Sequence, residues 1–88
     1  MITMSKEEVG NRALIDCLGE KQILQEKIDL FEKKYGTNFI DFNKDLAASE
    51  TENYEAWDDN IEWSAYEKFM VEIVARIEDI KHGNFQMA

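Results

Sequence analysis

The chain has 88 residues, of which 44% are hydrophobic and 11% aromatic, and its formal net charge is −9. This composition argues against an intrinsically disordered chain, and no apolar run approaches the ~20 residues that a membrane span needs. Nucleic-acid binding by the chain alone is disfavoured, because contacts to phosphates need Lys and Arg. A single cysteine, Cys17, and the absence of an apolar leader in MITMSKEEVGNR lead us to expect one cytoplasmic domain over residues 1–88.

The first predicted element is a long helix over residues 5–35. Ser5 and Glu8 have the spacing of a capping box at its start, and Gly36 is suited to end it in a left-handed conformation. Gly19 lies inside this helix and indicates either a kink or a close approach by another helix. A stripe of residues three or four apart predicts the packed face: Leu14, Cys17, Leu24, Ile28, Phe31 and Tyr35.

A short second helix is predicted over residues 39–48, capped by Thr37 or Asn38. Phe39, Phe42 and Leu46 share one of its faces. A helix of this length is marginal in water unless that face is docked. The two phenylalanines therefore either close one end of a helical hairpin or extend toward a partner.

The third predicted helix covers residues 53–82 and carries two adjacent apolar stripes. Together they make a face wider than one packed neighbour requires. The sequence therefore predicts an all-α fold: an antiparallel hairpin of two long helices with a short connecting helix. The spare apolar face of the third helix predicts that a second chain packs against it. That second chain is either a copy, giving a dimeric helical bundle, or a different protein. The stripes are Trp63, Tyr66, Met70, Ile73, Ile77 and Ile80, and Trp57, Ile61, Ala65 and Phe69.

Residues with catalytic chemistry are few. His82 is suited to the negative end of the third helix, and Cys17 lies on an apolar stripe as a small hydrophobe. Asp79 and His82 have part of a carboxylate metal motif, and an enzyme would need a metal held between chains either at these two residues or at Glu62. We assign no catalytic residue, cofactor or metal site, and we expect a protein that is not an enzyme.

The most informative stretch is YEAWDDNIEWSAYE, residues 54–67. Aromatic side chains flanked by charges are typical of an interface hot spot, and an acidic rim attracts a basic partner. Alternatively, both tryptophans complete the hairpin core and the acids form a solvated face. The predicted protein-interface residues are Phe39, Phe42, Tyr54, Trp57, Asp58, Asp59, Ile61, Glu62 and Trp63.

FEKKYGTNFIDFNKDL, followed by an acidic linker and YEAWDDNIEWSAYEKF, resembles small acidic helical antitoxins of prokaryotic toxin–antitoxin pairs. The likeness covers residues 31–69 and consists of a Lys-Tyr-Gly turn at Gly36, the Phe39-x-x-Phe42 spacing, and an acidic helix with Trp57 and Trp63. It implies a role in masking a small basic toxin.

Two functional hypotheses follow. The first is a non-catalytic protein-interaction module, antitoxin-like and homodimeric, that binds a basic protein through the acidic aromatic helix face. The second is a self-assembling structural helical protein with no other partner, whose acidic surface serves solubility. Neither hypothesis involves nucleic acid or a membrane.

Overall fold

The computed structural model describes residues 6–50 and 52–83, with side chains from residue 10 onward, and these residues form three helices and no strand. Helix α1 spans Lys6–Tyr35, α2 spans Phe39–Ala48, and α3 spans Tyr54–Lys81. The predicted capping residue Ser5 lies outside the described residues. Helices α1 and α3 pack side by side along an elongated molecule of 61 × 19 × 18 Å.

The helix ends are set by local hydrogen bonds and by glycine. Asn38 Oδ1 accepts a hydrogen bond from the Asp41 amide at 2.8 Å and begins α2. Asn53 Oδ1 accepts one from the Ala56 amide at 3.1 Å and begins α3. Gly36 has φ +67°, the left-handed conformation that ends α1 and turns the chain toward α2.

One hydrophobic cluster joins all three helices around Trp63, which is fully buried. The Phe31 ring of α1 stacks on its indole at a centroid distance of 5.4 Å. From α2, Phe42 packs at 5.1 Å and Phe39 meets it edge-on at 5.4 Å. The indole Nε1 donates to Glu67 Oε1 at 3.2 Å, so its polar atom is satisfied as well.

A second cluster lies farther along the hairpin and is aliphatic. Cys17 of α1 is buried there against Ile73, Ile77 and Ile80 of α3. Because Cys17 near the start of α1 meets the end of α3, while Phe31 near the end of α1 meets Trp63, the two long helices run antiparallel. The antiparallel hairpin predicted from the apolar stripes is therefore compatible with the structure.

The hairpin buries only part of its apolar residues. Nine hydrophobic residues are buried among the described ones, whereas eleven large hydrophobic side chains are exposed. Small α2 contacts α3 near one end of the hairpin and leaves the rest of the long helices uncovered. The exposed set is Ile15, Leu18, Ile23, Leu30, Ile40, Tyr54, Trp57, Ile61, Phe69, Val71 and Val74.

Replacing the two tryptophans separately tests the role of the aromatic cluster. We expect Trp63→Ala to lower the free energy of unfolding by about 3–5 kcal/mol, because it leaves a cavity among three helices. Trp57→Ala, at a side chain that is 45% exposed, is the matched control and should cost less than about 1 kcal/mol. Urea unfolding followed by circular dichroism measures both values. Equal losses in the two variants would contradict a core centred on Trp63.

Candidate functional site

The structure divides the predicted interface residues into a buried group, an exposed group and Asp59. Trp63 and Phe42 are 0% and 6% exposed, and Phe39 is half-buried against them. These three side chains are therefore occupied inside the chain, where they hold α2 against the hairpin. In this conformation they offer a partner little surface.

The second group is exposed on the outside of α3. Tyr54, Trp57 and Ile61 are 74%, 45% and 69% exposed. Their spacing of three and four residues aligns them on one face of the helix. Asp58 and Glu62 are exposed beside them. We call these five residues the acidic aromatic surface.

Asp59 differs from its neighbour Asp58 because it is bonded to α1. Lys34 Nζ lies 2.6 Å from Asp59 Oδ2 and 2.7 Å from Glu55 Oε1. The Tyr35 hydroxyl also donates to Asp59 Oδ2. We call this group of Lys34, Tyr35, Glu55 and Asp59 the Lys34 clasp. It ties the end of α1 to the first turns of α3.

The clasp changes the acidity of its members. Burial by itself raises the pKa of the Asp59 carboxyl, but the hydrogen bonds from Lys34 and Tyr35 outweigh it and hold that pKa below its usual value. The pKa of Lys34 is raised, first by its hydrogen bond to Asp59 and then by the one to Glu55. Burial and the hydrogen bond to Asp59 raise the pKa of the Tyr35 hydroxyl. The clasp is therefore an ion pair at neutral pH.

The acidic aromatic surface stays negative despite the clasp. Residues 46–66 contain six acids and no Lys or Arg, and Lys34 approaches only Glu55 and Asp59 among them. Glu62 accepts a hydrogen bond from the Tyr66 hydroxyl at 2.9 Å, which leaves its charge uncompensated. Three large apolar side chains thus lie exposed in a negative field.

Sequence reasoning did not identify Lys34 and Tyr35 as neighbours of the predicted surface. They are separated from Asp59 by 25 and 24 positions in the chain, so no local spacing reports the contact. The sequence offered only a general indication of this contact, because the last turn of α1 must lie beside the first turns of α3 in any antiparallel hairpin. That geometry brings a basic helix end to an acidic helix start.

The residues considered for chemistry lie apart. Cys17 is buried in the aliphatic cluster, whereas the exposed His82 has its Nε2 3.6 Å from Glu78 Oε2 on its own helix. Within the described part of the chain, no three His, Cys, Asp or Glu side chains are grouped to hold a metal ion. None of the helices in this described part is both long enough and apolar enough to cross a membrane.

Comparison with known proteins identifies no relative: no family model, no curated protein and no solved structure matches this chain.

Replacing each of the two neighbouring aspartates separately by asparagine tests the Lys34 clasp. We expect Asp59→Asn to lower the free energy of unfolding at neutral pH by about 1 kcal/mol, because Lys34 loses a charged partner. Asp58→Asn, an exposed neighbour, is the control and should change it little. Urea unfolding across a pH series measures both variants.

The pH dependence has a definite sign. A carboxyl whose pKa is lowered on folding stabilises the protein fully above its unfolded pKa, here about 3.8, and loses that contribution as the pH falls through the folded value. The difference between wild type and Asp59→Asn should therefore be constant near neutral pH and shrink below about pH 4. A difference that persists unchanged at low pH would contradict this account.

Proposed function

We propose that this chain is a non-catalytic protein-interaction module that binds a basic protein through the acidic aromatic surface, in the manner of antitoxin-like proteins that mask a small basic toxin. The observation that carries the proposal is the exposure of Tyr54, Trp57 and Ile61 on one face of α3 within a stretch that has six acids and no base. Cytoplasmic location and a prokaryotic source belong to the same proposal.

The apolar residues of this surface would supply most of the affinity. Burying a large apolar side chain that was exposed gives ~1.5–3 kcal/mol. Trp57 is suited to be the anchor, since tryptophan is enriched among the residues that dominate binding energy. Its side chain is 45% exposed, which leaves apolar area for a partner to bury.

The charges of the surface favour one class of partner. Asp58 and Glu62 would attract Lys and Arg on the partner and speed the encounter, and this attraction weakens as salt rises. The same charges repel the phosphates of nucleic acids. A basic protein therefore fits this surface better than RNA or DNA does.

A defined probe for this surface is a displayed library of random peptides selected on the purified chain. We expect the selected peptides to combine Lys or Arg with apolar residues, and their affinity to fall as salt rises. Trp57→Ala should weaken the best peptide roughly tenfold or more. Val71→Ala, at an exposed apolar residue farther along α3, is the control and should bind normally.

The charge requirement is tested with Asp58→Asn combined with Glu62→Gln. This variant keeps the shape of the surface, so we expect weaker binding and a smaller salt dependence. Selected peptides without basic residues, or equal binding by the Trp57 and Val71 variants, would contradict the proposal.

The antitoxin-like part has its own test. The protein encoded next to this one in its genome is expressed in bacteria alone and together with this chain. We expect the neighbour alone to arrest growth and co-expression to restore it, while the Trp57→Ala, Ile61→Ala double variant fails to do so. A harmless neighbour removes the antitoxin-like role and leaves the protein-binding proposal to the peptide experiment.

The second candidate is a self-assembling helical protein with no other partner. The large exposed apolar area away from α2 favours it. It predicts that the peptide selection yields no binder that depends on Trp57. The two candidates are therefore separated by the same experiment.

A further inference from the structure

A second apolar surface lies between α1 and α3, about 12 Å along α3 from Ile61 of the acidic aromatic surface. It is a groove of about 440 Å³. Ile23 and Phe69 stand on its two sides at 55% and 51% exposure. Leu24 and the buried Ile73 lie deeper between them. The remaining lining residues are Glu20, Glu72 and Arg76.

The outer side of α1 extends this groove as an apolar stripe. Ile15, Ile23 and Leu30 are 68%, 55% and 67% exposed, and at 3.6 residues per turn their positions fall within an arc of about 80° of the helix surface. Gly19 lies between Ile15 and Ile23 on that side, and a Cβ built there would meet nothing within 4 Å. The approach of α3 therefore does not require this glycine, whereas a second helix lying on the stripe from outside would be helped by it.

We propose that the groove and this stripe bind a second copy of the chain, forming a two-fold symmetric dimer with four long helices. Each copy would contribute the same surface, as two-fold interfaces require. Ile23 and Phe69 would lie near the centre of the contact. This interface is independent of the acidic aromatic surface and of the function proposed for it.

The charges around the groove favour a copy over a strongly charged partner. Glu20 and Glu72 are accompanied by Arg76 in the lining. Two acids and one base leave the lining a net charge of only −1, although the whole chain carries −9. Two acidic chains can meet with least repulsion where their local charges cancel, and a two-fold axis can place Arg76 of each copy near carboxylates of the other.

The exposed area is large enough for such a dimer. The structure exposes 6891 Å², and its elongated shape of 61 × 19 × 18 Å leaves more area open than the ~5,400 Å² of compact folded monomers of this size. A standard interface buries ~800 Å² per partner. The difference between the two areas therefore exceeds what one stable interface removes, and area would remain for a basic partner on the acidic aromatic surface.

Sedimentation equilibrium of the purified chain over a wide concentration range tests the dimer. We expect a concentration-dependent dimer for the wild type. Phe69→Glu, and separately Ile23→Glu, should weaken it at least tenfold, because each places a charge at the centre of the contact. Two variants on different helices guard against a fold defect in one of them, and circular dichroism checks that both stay helical.

The matched control is Val71→Glu. Val71 is 71% exposed and lies two positions from Phe69, which places it on the other side of α3. Val71→Glu adds the same charge as Phe69→Glu but outside the proposed contact, so it should leave the dimer intact. A wild type that stays monomeric at the highest concentration overturns the proposal, as does dissociation by Val71→Glu equal to that by Phe69→Glu.

Two further measurements separate this interface from the proposed function. Trp57→Ala should leave the dimer unchanged while it weakens the basic peptide. Rising salt should strengthen the dimer by screening the repulsion between two chains of charge −9, whereas it should weaken the peptide complex. Loss of the dimer in Trp57→Ala would overturn the assignment of the groove as the interface between copies.

Discussion

The contact of the Trp63 indole with rings from two other helices is the interaction on which the rest of the fold depends. Phe31 and Tyr35 reach it from α1, and Phe39 and Phe42 reach it from α2. Helix α2 has ten residues and would be marginal in water without this docking. The indole thus fixes the position of the short helix as well as the register of the two long ones.

Concentrating the aromatic core at one end leaves the other end thinly covered. Cys17 and three isoleucines hold the far part of the hairpin, and no third helix packs there within the described residues. A two-helix layer has an outer side on each helix that its partner never reaches. The groove at Ile23 and Phe69 follows from this asymmetry, because α2 is too short to extend along the hairpin and cover it.

Helical periodicity was sufficient to predict three helices and an antiparallel hairpin, since the apolar stripes and the glycine at residue 36 are local signals. It was not sufficient to distinguish Trp57 from Trp63. The two lie on adjacent stripes of the same helix, and only the positions of Phe31 and α2 decide that Trp63 is enclosed. Periodicity likewise could not distinguish Asp58 from Asp59. Only the positions of Lys34 and Tyr35 on the other long helix decide that Asp59 is the bonded one.

The distribution of charge along α3 separates two kinds of binding surface. The first turns combine exposed Tyr54, Trp57 and Ile61 with acids that no base in residues 46–66 compensates. About 12 Å farther along the helix, Phe69 is exposed beside two carboxylates and Arg76, which together leave a net charge of only −1. An acidic chain associates with itself most easily where its charge is locally neutral, and with a basic partner where its charge accumulates. Because these regions lie on successive turns of a single helix, substitutions at Trp57 and at Phe69 can test them separately.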